Sequence, residues 1–377
     1  MSSVIRSGAP RLAYFVHDVA DAAVARRVGM LHAAGVVVTV IGFRRRAVPL
    51  DTIDGARVVD LGQTGDGRFV QRIWAVLRNL AAFDTVRRAV SDADVLMARN
   101  LETLVLAARA AKGRRLVYEC LDIHRMLLTD GLLPGLVQRV ERAALRKVAL
   151  IVTSSPRFAD AYFRDRRGVA TPVLLVENKL PMLTDPPAAR SAVGAVAGPP
   201  WVVGWFGMLR CKRSLAILAE LAAASNGRVE VLIAGIPSDA EFSDFAETVA
   251  AMPGVTFVGR YQAGDLAALY GRVHFAWAID FFEEGLNSTW LLPNRLYESL
   301  GYGAVPIALA TVETGAWLKR NHVGLVIDTA EEAAAHLQSM SIPKYGELAA
   351  AVAALPRATI ELTAEENAAI VATIVGN

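Results

Sequence analysis

Short β-branched runs alternate with longer amphipathic stretches along almost the whole chain. That rhythm restricts it to parallel sheets covered by helices. Leu12 to Val16 predicts a strand, Asp21 to Ala34 a helix, and Val36 to Gly42 a second strand. Arg57 to Asp60, Val95 to Ala98, Leu116 to Glu119, Ile151 to Thr153 and Val173 to Val176 follow as short strands, with helices between them. Arg68 to Ser91 predicts one long amphipathic helix. Parallel neighbours need a crossover of a dozen or more residues, which a helix supplies. Such a sheet is buried on both faces and needs near-continuous apolar strands. The composition permits this, with 54% apolar and 20% charged residues.

The rhythm stops between Glu177 and Pro200, where Pro181, Pro186, Pro187, Pro199 and Pro200 fall among alanines and glycines. Proline fixes φ and removes a donor, so this stretch predicts a linker. Alternation resumes with strands at Trp201 to Phe206, Val229 to Ala234, Val255 to Val258, His274 to Ile279, Val305 to Ala308 and Gly324 to Ile327. Helices are expected at Leu266 to Tyr270 and from about Pro293 to Tyr302. A chain of 377 residues suits two domains of roughly 180 residues better than one core. The expected organisation is an N-terminal domain over 1–180, a linker over 181–200, a second domain over 201–355, and a C-terminal helix over 356–377 packing back on the first domain. The expected fold class is α/β, with two doubly wound Rossmann-like domains facing across a cleft. Ligands of such sheets bind at the carboxyl ends of the strands.

The net charge of +3 hides a split. Residues 1–190 hold 29 Lys and Arg against 18 Asp and Glu, a net +11; residues 191–377 hold 11 against 19, a net −8. The basic half expects an anionic partner: a phosphorylated substrate, an acidic membrane surface or a nucleic acid. No uninterrupted apolar run reaches the roughly 18 residues that cross a bilayer, and Met1 to Pro10 lacks the apolar core of a signal peptide. The expected location is cytoplasmic. Cys120 and Cys211 are too few for a disulfide framework or a metal cluster and read as small apolar residues.

Candidate binding residues concentrate in the second half. The strand ending at Phe206 runs into Gly207-Met208-Leu209-Arg210-Cys211-Lys212-Arg213, and a helix follows. Glycine lets a backbone approach a ligand closely, a helix N-terminus offers free N–H groups to phosphate, and Arg210 and Lys212 add positive charge. Without a ligand the same residues make a solvated basic turn. Pro293 is expected at the first position of a helix, with Asn294 and Arg295 in its first turn and Glu298 on the same face. There Glu298 can accept two ribose hydroxyls. As a bare spacing the run is equally a surface helix with an Arg–Glu pair. Gly259, Arg260 and Tyr261 end a strand where a nucleobase can meet backbone groups and a ring, and Glu284 and Asn287 follow another strand end.

The order of a Gly-containing basic loop, the strand end VTFVGRY and the run PNRLYESLGYGAVPIA resembles the donor domain of GT-B glycosyltransferases across most of residues 200–330. By that resemblance Gly207, Arg210 and Lys212 hold a diphosphate, Glu298 the ribose, and Gly259 to Tyr261 frame the base, with Glu284, Asn287, Asn294 and Arg295 nearby. Uridine is expected as the base by family frequency. The retaining subfamily carries two glutamates with seven residues between them. Here Trp290 holds that place before Glu298, and Glu284-Gly285 lies further upstream. The expectation is therefore an inverting hexosyltransferase, with a retaining enzyme of the same fold as the alternative. No metal and no cofactor are expected, because Arg210, Lys212 and the helix ends can neutralise the leaving diphosphate.

An inverting transfer needs a base for the acceptor hydroxyl. Asp122 and His124 fall just past the strand Leu116 to Glu119 and rank first; Asp122 alternatively caps the next helix. His17 and Asp18, just past the first strand, rank second, since some inverting GT-B enzymes place a histidine there. Tyr118 to Arg125, with Ser154 to Phe158 and Val176 to Lys179, resembles transferases that assemble exopolysaccharide repeats on a lipid carrier, succinoglycan enzymes among them. That resemblance implies a nucleotide-sugar donor and a lipid-diphosphate-linked saccharide acceptor.

Phe69, Ile73, Trp74, Leu77, Leu80 and Phe83 share one predicted helix with Arg68, Arg72, Arg78, Arg87 and Arg88. Arg125 to Lys147 similarly combines Met126, Leu127, Leu128, Leu132 and Leu133 with Arg139, Arg142 and Arg146. Apolar and basic residues together suit the interface of an anionic inner membrane, although core-facing helices with a solvated basic face have the same pattern. A sugar-nucleotide epimerase shares this architecture but needs no lipid surface. A nicotinamide dehydrogenase expects Gly-x-Gly-x-x-Gly after its first strand, and neither half supplies it. A nucleic-acid partner is not expected, given the acidic second half and the lack of a known binding module.

Overall fold

The computed structural model describes residues 8–45, 47–64, 69–181 and 198–376, with the backbone alone for 69–73. The chain divides into two compact units, Met1–Val176 with Ala364–Asn377, and Glu177–Thr363. Residues 182–197, which hold most of the expected linker, lie outside the described residues.

The first unit is built on an eight-stranded sheet. Its strands are β1 (Arg11–Val16), β2 (Val37–Arg44), β3 (Thr52–Ile53), β4 (Ala56–Gln63), β5 (Val95–Arg99), β6 (Arg115–Cys120), β7 (Leu150–Thr153) and β8 (Val173–Leu175), in the order β3-β4-β2-β1-β5-β6-β7-β8. Seven of the strands pair in parallel, and β3 closes the edge as an antiparallel hairpin with β4. Asp54 and Gly55 form its two-residue turn, both at positive φ, as such a tight hairpin requires. The expected strand Arg57 to Asp60 is thus the middle of a longer one.

Helix α1 (Ala22–Ala33) follows β1, with Asp21 as N-cap accepting from the Ala23 amide. The single helix expected over Arg68 to Ser91 is two, α2 (Phe69–Ala81) and α3 (Asp84–Ala89). Arg109 explains the break. It donates to the Leu80 carbonyl in the last turn of α2 and lies 4.6 Å from the centre of the Phe83 ring, so the carbonyl is satisfied without another helical turn. Arg68 lies outside the described residues. Next come α4 (Leu101–Ala110), α5 (Arg125–Leu128) and α6 (Leu132–Leu145), then a π-helix at Phe158–Arg166. Glu141 on α6 is buried and accepts from Tyr162 of the π-helix at 2.7 Å, while Arg167 lies 2.8 Å from it.

In the second unit a short pair comes first, β9 (Leu180–Pro181) against β16 (Glu361–Leu362). The main sheet is entirely parallel, in the order β12-β11-β10-β13-β14-β15. Its strands are β10 (Trp201–Leu209), β11 (Val229–Pro237), β12 (Val255–Phe257), β13 (Phe275–Trp277), β14 (Val305–Leu309) and β15 (Leu325–Ile327). The covering helices are α7 (Lys212–Ala224), α8 (Phe245–Ala250), α9 (Leu266–Tyr270), α10 (Asn287–Trp290), α11 (Asn294–Gly301), α12 (Glu313–Arg320), α13 (Glu332–Gln338), α14 (Ile342–Ala353) and α15 (Arg357–Ile360). Trp201, Trp205, Trp277, Phe275 and Tyr297 are buried in the core between them. Residues 356–363 stay with this unit, and α16 (Ala364–Val375) belongs to the first. Asn367 donates to the Met30 carbonyl and Arg115 to those of Thr373 and Ile374.

One backbone contact controls the edge of the second sheet. Gly207 on β10 and Gly235 on β11 are register partners, at φ +116° and +142°. A Cβ on Gly235 would sit 1.8 Å from the Gly207 carbonyl oxygen. Gly235→Ala therefore combines a hard backbone clash with a left-handed conformation and should cost about 3 kcal/mol or more, lowering Tm by roughly 6–12 °C. Gly227→Ala, also at positive φ but in open space, is the control. Thermal unfolding of both variants checks this, and equal losses would contradict it.

Candidate functional site

In the second unit the chain lays β11 and β12 on one side of β10, then crosses to lay β13, β14 and β15 on the other. Loops leaving β10 and β13 therefore diverge, and a crevice opens at their carboxyl ends. The adjoining strand ends are stripped of side chains. Gly207, Gly235 and Gly259 all have positive φ, and the Gly235 amide donates to the Gly259 carbonyl at 2.8 Å. An approaching ligand meets backbone there.

Beyond β10, Cys211 caps α7, its Sγ accepting from the Ser214 amide at 3.3 Å and its carbonyl from the Leu215 amide. This cysteine, expected only as a small apolar residue, also orients the helix start. Arg210 is partly exposed, 3.6 Å from Asp280 of the loop after β13, with the Phe282 ring 4.4 Å from its guanidinium. Lys212, the first residue of α7, lies 3.6 Å from Glu241. Arg213 donates to both carboxylate oxygens of Glu284 and covers the Phe281 ring at 4.0 Å. Each cation at this helix start thus faces a carboxylate that an anionic ligand can replace. Glu284 serves as the counter-ion of Arg213, and Asn287 is buried at the start of α10.

Pro293 is the N-cap of α11 rather than its first residue, with φ −74° and ψ 153°. The difference is one residue, and the fixed φ of proline suits either place. Asn294 is exposed in the first turn, and Arg295 donates to the Trp277 carbonyl at the end of β13. Glu298 is half-buried and accepts from the Tyr270 hydroxyl at 3.4 Å. Burial and the Glu298 charge push the Tyr270 hydroxyl well above its ordinary range, so it remains a donor. Its ring stacks on Tyr302 at 5.8 Å. Arg260 is exposed, while Tyr261 rests edge-on against Phe206. The Gly207 edge, Arg210 and Arg295 are therefore set around one crossover, with Glu298 one turn further along α11.

The first unit has its own crossover between β1 and β5. His17 follows β1, and Asn100 follows β5 with Nδ2 3.3 Å from His17 Nδ1. Asn100 has φ 68° and ψ 163°, a region that side chains other than glycine rarely enter. Its amide donates to the Glu119 carbonyl and its own carbonyl accepts from Leu104, which hold it there. Asp18 is buried, accepts from the Ala20 amide and lies 3.5 Å from Arg45. Asp122 and His124, by contrast, are exposed after β6, one strand further from the crossover. The cap of α5 is His124, whose Nδ1 accepts from the Met126 amide, and not Asp122.

Beneath His17 lies a charge network. Glu119 is fully buried, accepts from Arg27 at 2.7 Å, and also bonds the Tyr14 hydroxyl. Burial pushes its carboxyl up, but the Arg27 and Arg99 charges outweigh this and hold it below the ordinary range. Arg99 is buried within this group and lies 3.6 Å from Asp21. Losing one partner of such a buried pair costs ~3–5 kcal/mol. Sequence reading missed Arg27, Arg99, Asn100 and Tyr270. Buried arginines beside a strand end are the only signal that could have found the first two.

The first unit carries the sequence signature of a known domain, since residues 20–179 match the glycosyl transferase 4-like domain. Over 329 residues the chain is 44% identical to the succinoglycan biosynthesis protein ExoL of Rhizobium meliloti strain 1021, a match covering 85% of this chain and 82% of that protein. The chain belongs to the family of that succinoglycan biosynthesis protein, with a glycosyl transferase 4-like domain over residues 20–179. It is a glycosyltransferase. Its fold is GT-B, as in two solved structures of that architecture. Sucrose-phosphate synthase from Thermosynechococcus elongatus aligns with a TM-score of 0.71 at 16% identity, covering 97% of this chain and 98% of that one. HepE from Anabaena, solved with UDP and glucose, aligns with 0.71 at 14%, covering 97% and 99%.

The neutrality of His17 is a testable property of this glycosyltransferase. Burial, and then the Arg99 charge, lower its pKa from 6.5. The unfolded chain therefore binds a proton before the folded one does. His17 should weaken stability as pH falls through 6.5 towards the folded value, and leave it untouched above. An NMR titration of the imidazole should place its midpoint below 6.5; a midpoint at or above that value would contradict this environment.

Proposed function

We propose that this glycosyltransferase moves a hexose or hexuronic acid from a UDP-linked donor to a hydroxyl of a lipid-diphosphate-linked saccharide in exopolysaccharide assembly, with inversion at the sugar carbon. The relative named for succinoglycan biosynthesis supports the pathway class. HepE, solved with UDP-glucose, supports the donor class. The observation that carries the reading is the grouping of Arg210, the bare Gly207 edge and the N-terminus of α11 at one crossover, with Glu298 a turn further on.

In this mechanism the donor diphosphate replaces Asp280 beside Arg210. Arg210, Lys212 and the backbone amides of Lys212 and Arg213 at the start of α7 meet the charge that grows as the sugar–phosphate bond breaks. Glu298, held by Tyr270, accepts the two ribose hydroxyls, and the Gly259 to Tyr261 segment borders the base. These groups supply the positive charge, and we assign no metal to the transfer. The base is His17 in preference to Asp122, His124 or Asp18. It is kept neutral by burial and Arg99. A half-turn of the Asn100 carboxamide presents its oxygen to Nδ1–H and leaves Nε2 free to take the acceptor proton. The enzyme works peripherally, on the cytoplasmic side of an anionic inner membrane that carries the acceptor.

A calorimetric panel of UDP, GDP, ADP and NAD tests the donor assignment. UDP should bind most tightly, and Arg210→Ala should weaken it about 10–100-fold, the worth of a charge-assisted contact. His17→Ala should cut turnover about 10²–10⁴-fold with UDP affinity unchanged, whereas Asp122→Asn should keep most of it. EDTA should leave the rate intact. Binding of NAD alone, or an Arg210 variant with normal UDP affinity, would overturn the reading.

A further inference from the structure

Helix α6 carries an unpartnered apolar stripe. Leu132, Leu136 and Val140, spaced four residues apart and so on one face, are 98%, 55% and 40% exposed, and Leu133 beside them is 51% exposed. The opposite side of α6 is the core side, where Glu141, Ala144 and Leu145 are buried. Leu127 and Leu128, expected in the same surface, are buried instead. Soluble surfaces rarely group large aliphatic side chains in this way without a partner. The chemistry of the partner is written next to the stripe. Arg139 and Arg146 lie seven and fourteen residues beyond Leu132, which places them along its flank, and both are exposed. Neither makes an ion pair among the described residues. Helix α4 packs against α6 on one side and α2 on the other, so all three belong to one layer. On α2, Trp74 is 68% and Leu77 48% exposed, with exposed Arg78 next to them.

We propose that the exposed face of α6, extended by Trp74 and Leu77 of α2, docks on an anionic lipid bilayer. The leucines enter the headgroup–acyl boundary, and Arg139 and Arg146 meet lipid phosphates. This names the contact surface for the membrane partner invoked above and rests on that reading. Among the described residues no helix is long and apolar enough to cross a membrane, so the element lies on the bilayer rather than spanning it. A second copy of the same face is a poor occupant, because it would bring arginine flanks of like charge together.

Flotation of the full chain with two kinds of vesicle tests this, phosphatidylcholine alone and phosphatidylcholine with about one-third phosphatidylglycerol. The protein should float with the anionic vesicles at low salt and much less with the neutral ones. The triple variant Leu132→Ser, Leu133→Ser, Leu136→Ser should lower the bound fraction about tenfold or more. Arg139→Ala with Arg146→Ala should remove most of the preference for phosphatidylglycerol. All changes are on exposed side chains, and a wild-type circular dichroism spectrum and melting temperature show that each variant is folded. Absence of wild-type flotation, or equal flotation of the serine variant, overturns the proposal. So does a wild-type dimer in light scattering that the serine variant dissociates, since the face would then join two copies. Absence of wild-type flotation with UDP binding intact sinks the docking surface alone, whereas normal wild-type flotation without UDP binding sinks the donor assignment alone.

Discussion

Both sheets depend on parallel pairing about a central first strand. In each unit the chain builds outward on one side of that strand, β1 or β10, and then crosses to the other. Helices must cover both faces, which closes every broad surface of the sheet to ligands. The carboxyl ends at the crossover remain. This explains why His17 and Asn100 meet at one edge, and why the Gly207 edge, Arg210 and Arg295 meet at another, although each set is scattered along the sequence.

The two edges solve different electrostatic problems. In the second unit every cation at the start of α7 has a carboxylate opposite it, at Asp280, Glu241 or Glu284. The Arg213–Glu284 pair is exposed and worth little, typically under about 1 kcal/mol, while Asp280 beside Arg210 is largely covered. In the first unit the charges are buried, and Glu119 with Arg27 and Arg99 forms a fixed block under His17. One edge sets its cations against carboxylates; at the other, burial and the Arg99 charge lower the pKa of His17.

Much of this was legible in the sequence, because periodicity reports burial directly. The strand–helix alternation gave the α/β class, and the run from Pro293 to Glu298 did fold as a helix that starts at the strand ends. Three features were not legible. Arg109 breaks the long helix by a contact 29 residues away, which no local pattern shows. Asp122, ranked first as a base with a helix cap as its alternative, does not cap α5; His124 two residues on takes that role. Asn100 lies in backbone space reserved almost wholly for glycine; its neighbours enforce this through long-range hydrogen bonds, so its residue type gives no hint. Tertiary contacts overrode local preference in all three.

The central claim is that the second unit holds a nucleotide diphosphate at its β10–β13 crossover. A crystal structure of the protein with UDP tests this most directly. The diphosphate should lie within hydrogen-bond distance of Arg210 and the start of α7, with Asp280 displaced and both ribose hydroxyls on Glu298. UDP bound anywhere else, or bound there with Glu298 untouched and Arg210 still paired to Asp280, would contradict the account.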